Sequence, residues 1–187
     1  MTYYGGKELA ASFRTVRNNT IQIAEDIPES SYSFKAAEGC RTVGQTLTHI
    51  GTSTMFQSYI HQNRIDSLTK VSFPELMQKT AAEEAKPRTK AEIIAFVKDE
   101  GEKFAQYLDG LSDSFLAEPV GMPPGAQPAT KSRFEMLMGV KEHEMHHRGQ
   151  LMLLQRMLGL TPHLTRQMQQ RMASHSAPAT ATAQATR

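Results

Sequence analysis

Three times along this chain a Thr or Ser is followed three residues later by Gln or Glu at the head of a long helically spaced stretch: Thr42 and Gln45, Thr89 and Glu92, Ser132 and Glu135. In such a capping box the two side chains satisfy backbone N–H groups that the first helical turn leaves without partners. Helix starts are thus marked at three places. No segment shows sustained period-two alternation of β-branched residues, so nothing competes with a helical reading.

The spacing predicts four long helices. The first, from about Lys7 to Asp26, places Leu9, Phe13, Val16, Ile23 and Ile27 roughly on one side and is closed by Pro28. The second runs from Val43 to about Arg64, the third from Lys90 to Leu111, and the fourth from Arg133 to Leu158, where Gly159 and Pro162 end it. Ser72-Phe-Pro-Glu75 is a further start signal, which predicts a short extra helix from Pro74 to about Ala85 in the connection between helices two and three. The Gly/Pro stretch from Pro119 to Pro128 reads as a loop. Four long helices with connections able to cross the bundle ends predict an all-α four-helix bundle. Residues 1–172 form its one domain; beyond Met172 no large apolar residue offsets the entropy of ordering, so 173–187 is expected to be a disordered tail.

Composition narrows the function classes. A net charge of +2 is too small to call for a nucleic-acid or membrane partner. No acidic residue follows Glu144, and the basic end that results reads as a solvated surface. No run approaches the roughly 18 apolar residues of a membrane span. Cys40 is the single cysteine, which excludes an intramolecular disulfide and a thiolate metal cluster within one chain. A cytoplasmic protein acting on a small molecule is the expectation.

Histidines carry the chemistry. On a wheel of about 100° per residue, Leu137, Val140, Leu151, Leu154 and Leu158 share one stripe of the fourth helix, and His147 falls inside it. His143 lies at its edge, about 40° away, whereas His146 turns toward the opposite face. On the second helix His49 falls in line with Ser53, Phe56 and Ile60, so it faces inward too. One inward histidine is ordinarily a satisfied core residue. Three of them would be costly to desolvate without a partner, and a divalent ion accepts three neutral nitrogens while keeping a fourth position open. Neutral imidazole suits Zn²⁺ and Ni²⁺. His61, about 120° from His49, and His163, past Pro162, are poor ligand candidates.

Glu144 has two readings: an i, i+4 ion pair with Arg148, or a carboxylate that supports a ligand or acts as catalytic base. His143-Glu144-Met145-His146-His147 also spells the H-E-x-x-H of zinc hydrolases, but no acidic ligand follows, and Gln150 and Leu153 stand where the extended motif needs Gly and His. A two-metal carboxylate bundle needs a second Glu-x-x-His unit, and Thr46 stands three residues before His49 instead.

Thr-Leu-Thr-His49-Ile in the second helix, with His143-Glu-Met-His-His147-Arg-Gly-Gln-Leu in the fourth, resembles the DinB superfamily over roughly Lys7 to Leu160. The resemblance implies a bundle with up-down-down-up connectivity and one metal held by His49, His143 and His147. It also implies kinship with thiol-dependent enzymes, mycothiol-dependent maleylpyruvate isomerase and bacillithiol transferases among them, in which a metal activates an exogenous low-molecular-weight thiol. Many members have no established reaction, so a metal-binding structural or stress-related protein without turnover stands as the alternative. Members are often dimeric, and a homodimer is an expected state, although nothing in this sequence fixes an interface. Function inferred from fold is analogy and has to be argued from the site.

Overall fold

The computed structural model describes residues 4–176. Four long helices form the bundle: α1 (Gly6–Asp26), α2 (Val43–Gln62), α4 (Lys90–Asp109) and α6 (Arg133–Met157). Thr42 and Thr89 close full capping boxes with Gln45 and Glu92, whereas Ser132 accepts from the Glu135 backbone N–H alone. At its other end α6 stops in a Schellman turn. Gly159 takes φ +78, and the N–H groups of Gly159 and Leu160 reach back to the carbonyls of Arg156 and Gln155.

Contacts along the helices fix their directions. Tyr4 meets Phe134, Lys141 bonds Ser12, and Arg17 pairs with Glu144, so α1 and α6 run parallel. Arg14 reaches Glu102, and Lys98 reaches Glu25, so α1 and α4 are antiparallel. Gly44 lies against Ile93 and Gly51 against Phe96, which makes α2 and α4 parallel neighbours. The order is up-down-down-up. At Gly51 any Cβ would collide with the Phe96 ring, so the glycine sets how closely α2 and α4 approach.

Parallel neighbours cannot be joined by a tight turn, and residues between α2 and α4 make a long crossover that carries α3 (Phe73–Glu84). Two departures from the expected elements follow α4. The stretch expected as loop pairs as a minimal hairpin, β1 (Pro119–Gly121) with β2 (Thr130–Ser132), preceded by the five-residue α5 (Asp113–Ala117). Strands of three residues have no room for the alternation that would reveal them. The other is α7 (His163–Ser176), which carries the ordered chain past 172 into the stretch expected as tail; residues 177–187 lie outside the described residues. Polar contacts hold it: His163 to Asn19 at 3.0 Å and Arg166 to Asp26 at 2.8 Å.

The core is layered. One apolar cluster, around Ile23, Leu47, Ile50, Val97 and Leu151, fills one end of the bundle, and another, around Phe13, Phe104, Leu108 and Leu137, fills the other. A third, with Ile60, Leu68, Leu76, Val120 and Met136, joins α3 and the hairpin to the flank of α2 and α6. Between the first two lies a polar layer made by Arg17 and Glu144, 3% and 0% exposed. Among the described residues, no helix is long and apolar enough to cross a membrane.

Candidate metal centre

Antiparallel packing of α2 and α6 brings His49 against the i, i+4 pair His143 and His147 at the height of the polar layer. His143 Nε2 lies 3.2 Å from His49 Nε2 and 3.1 Å from His147 Nε2. Three donors around a tetrahedral ion at 2.0–2.1 Å stand about 3.3 Å apart, which these two spacings match, and all three ligand atoms lie within 4.8 Å of one another. His147 is buried and the other two are half-buried.

Outer contacts orient two of the rings. His49 Nδ1–H donates to Glu84 Oε1 at 2.7 Å, and that oxygen also accepts from Thr52 at 3.0 Å. His147 Nδ1–H donates to Gln150 Oε1 at 2.8 Å, while the Gln150 amide donates to His146 at 3.1 Å. With their Nδ1 atoms protonated, His49 and His147 turn the lone pair of Nε2 toward the common centre. Lone pairs converging with too few protons to share among them are what a cation satisfies. Burial, with repulsion from His147 and His49, pushes His143 down to about 4, and burial lowers His147 as well, so both are neutral ligands at neutral pH. These three residues can hold a metal ion.

His49 and His143 stand at one end of a cavity of about 640 Å³ between α2, α6 and α3. Its walls are largely apolar, with Phe56, Leu68, Leu76, Met122 and Met136. Among the described residues no fourth His, Cys, Asp or Glu joins the cluster, so an ion held by the three histidines would have room for a further ligand.

Glu144, expected as a partner of Arg148, a carboxylate that supports a ligand or a catalytic base, is paired with Arg17. Arg17 Nε donates to both of its oxygens at 3.0 Å and Nη2 approaches Oε2 at 2.9 Å, and Glu144 does not line the cavity. Because α1 runs beside α6, the face between the two ligands turns to α1 and into the core. In the H-E-x-x-H reading the Glu that would act as base is held in this ion pair. Arg17 also donates to the Val97 carbonyl at 2.6 Å, so it ties α6 to α4 at the height of the ligands. Its signal was available: a charged residue at an apolar-stripe position of the first helix. Glu84, on the last turn of α3, had no such signal, since its partner is 35 residues away.

The remaining histidines have partners of their own. Buried His61 accepts from Arg133 on Nδ1 and donates from Nε2 to Gln57, and burial, then the Arg133 charge, pushes it down to about 4. His146 is exposed, and His163 is buried on Asn19.

Fold and site together define a class: helical bundles able to hold one metal ion on histidines of the second and fourth long helices. The family model of the DinB superfamily matches residues 12–151, and the chain belongs to that superfamily. The uncharacterized protein YjoA of Bacillus subtilis strain 168 is 24% identical over 155 residues, 82% of this chain and 91% of the relative. The crystal structure of that DinB-like protein superposes with a TM-score of 0.61 at 23% identity, over 82% of this chain and 94% of the other. YfiT from Bacillus subtilis, described as a probable metal-dependent hydrolase with an unusual four-helix bundle topology, superposes with a TM-score of 0.65 at 14% identity, over 86% of this chain and 91% of its own. At such identities the structural likeness speaks to the fold.

Proposed function

We propose that this protein is a cytoplasmic metalloenzyme that joins an exogenous low-molecular-weight thiol to a small electrophilic substrate, with Zn²⁺ or Ni²⁺ on His49, His143 and His147. One observation carries the reading: a three-histidine cluster with an open side at the end of a cavity of about 640 Å³, roomy enough for organic reactants. A divalent ion there supplies Lewis acidity, lowering the proton affinity of a thiol or water that enters the open position. The protein's own part is arrangement. Glu84 and Gln150 hold two rings on target, the Arg17–Glu144 pair fixes the ligand-bearing turn of α6, and the apolar walls keep water from the reactants. The thiol comes from solution, because exposed Cys40 is not among the residues lining the cavity.

Hydrolysis is the second reading, favoured by the description of YfiT. It asks for a base to take a proton from water, and the carboxylate between the ligands is committed to Arg17. The test is metal analysis followed by a panel of cellular thiols and electrophiles against protein loaded with Zn²⁺, Ni²⁺ or no metal. The expected result is about one ion per chain, lost in His49→Ala, His143→Ala and His147→Ala but kept in His146→Ala, and metal-dependent loss of free thiol. Rates independent of metal, or ester and amide turnover without thiol, overturn the thiol reading.

A further inference from the structure

One side of α6 is buried in the bundle, where Leu137, Val140, His147, Leu151 and Leu154 face the core. The direction opposite to that stripe points away from the bundle and is held by exposed Gly149. Within about 60° of it, at 100° per residue, lie Glu142, Met145, His146, Met152, Leu153 and Arg156. Met145 and Leu153 are 43% and 57% exposed. With half-buried Met152 they form an apolar strip along one face, the kind of patch that marks a contact surface. Gly149 is costly where it stands, since a glycine inside a helix loses about 1 kcal/mol against alanine. Its own chain does not ask for it: among the described residues nothing lies within 4 Å of where a Cβ would be. The face is also self-complementary. Counted from Gly149, Met145 and Leu153 lie four residues to either side, His146 and Met152 three, and Glu142 and Arg156 seven. Both of these charges are exposed, and among the described residues neither belongs to an ion pair. Arg156 donates instead to the Met152 carbonyl at 3.1 Å and to Thr165 at 3.0 Å.

We propose that this face of α6 is the interface of a homodimer, in which two copies of the helix pack antiparallel about a two-fold axis through Gly149. Such an axis sets Met145 against the partner's Leu153 and Glu142 against the partner's Arg156, and repeats each pair on its other side. Opposite charges meet at both ends of the strip, and apolar residues meet between them. A bulky or charged residue on the axis would meet its own copy; glycine lets the two helices approach closely. Glu142 also lines the cavity, so the same pairing brings the partner's Arg156 to the cavity's rim. From Glu142 to Arg156 the strip is about 21 Å long at 1.5 Å per residue. One helix face of that length is small for a specific interface, so a dissociation constant of about micromolar is expected. The dimer needs neither metal nor substrate, and it stands or falls separately from the proposed reaction.

The test is sedimentation equilibrium of the full chain from about 1 to 200 µM. Chelator is present, so that exposed His146 cannot bridge copies through an ion. The mass should rise with concentration from 20.8 kDa toward twice that value. Leu153→Glu, which sets a carboxylate against the partner's Met145, should raise the dissociation constant about tenfold or more. Glu142→Arg and Arg156→Glu should each weaken the dimer about tenfold, because like charges then face each other on both sides of the axis. The double variant Glu142→Arg/Arg156→Glu rebuilds both pairs in reverse and should return to within about threefold of the parent. Thermal melting at low concentration checks that each variant is folded; these side chains are exposed, so the melts should match the parent's. A mass of 20.8 kDa at every concentration, a dimer unmoved by Leu153→Glu, or a double variant no tighter than the single ones overturns the proposal.

Discussion

Changing Glu144 to Gln keeps the side chain's shape and strips the charge from a pair whose members are 3% and 0% exposed. Arg17 then remains as a buried cation, held by the Val97 carbonyl at 2.6 Å and the Ile50 carbonyl at 3.4 Å but without a counter-ion. Breaking a buried pair from one side costs about 3–5 kcal/mol, because the surviving charge has been taken out of water and its protein partner is gone. In a domain of this size, each kcal/mol moves the melting midpoint by about 2–4 °C, so Glu144→Gln should lower it by roughly 6–20 °C. Arg17→Met should do comparable damage by orphaning Glu144. The double variant Arg17→Met/Glu144→Met should recover most of the loss, since well-packed apolar residues replace a buried pair at little net cost. Urea unfolding of the parent, Arg17→Met, Glu144→Met and the double variant, followed by circular dichroism with chelator present, measures the coupling, expected at about 3 kcal/mol or more. Single variants within about 1 kcal/mol of the parent, or additive losses in the double variant, would refute the account. So would a Glu144→Gln protein of unchanged stability that fails to take up metal.

Glu84→Gln should keep metal binding but weaken it about 10–100-fold, read by competition with a chelator, because the carboxylate that orients and enriches His49 is lost. His61 stays neutral in the folded protein down to about 4, while the unfolded chain takes up the proton near 6.5. The unfolded state therefore binds more protons between those values, and this contribution is full above about pH 6.5 and lost as pH falls toward 4, on the order of 3 kcal/mol in all. The slope of unfolding free energy against pH in that window should shrink in His61→Gln. Gly101→Ala adds a Cβ 2.7 Å from Arg17 Nη1 and 2.8 Å from its Cγ. Although Ala is the better helix former by about 1 kcal/mol, the variant should be less stable than the parent in urea; a gain in stability would show that Arg17 has room to move.

Local chemistry made the long helices legible, since each carries its own start signal or stop within a few residues. His143 and His147 were legible as an inward pair because they sit one turn apart on one helix, and His49 because its neighbours at helical steps are apolar. What escaped depends on partners distant in the chain. Arg17 and Glu144 are 127 residues apart, and the i, i+4 rule offered Arg148 as a nearer but wrong partner. Glu84 reaches His49 only because the crossover lays α3 along the groove. Helix α7 escaped for another reason: polar contacts through His163 and Arg166 dock it, and these leave no apolar pattern in the sequence.

Running α2 and α4 side by side in the same direction forces a long return path, and α3 is what the chain lays along it. The cavity therefore has two kinds of wall. α2 and α6 carry the histidines and are locked into the layered core, so they tolerate little change. α3 contributes Leu76, Met77, Thr80, Ala81 and Glu84 to the cavity, yet Leu76 is its one buried residue. A chain built this way can exchange what it recognises by rewriting the crossover helix up to Glu84, which has to stay because it orients His49, and the same division marks where an engineer should cut.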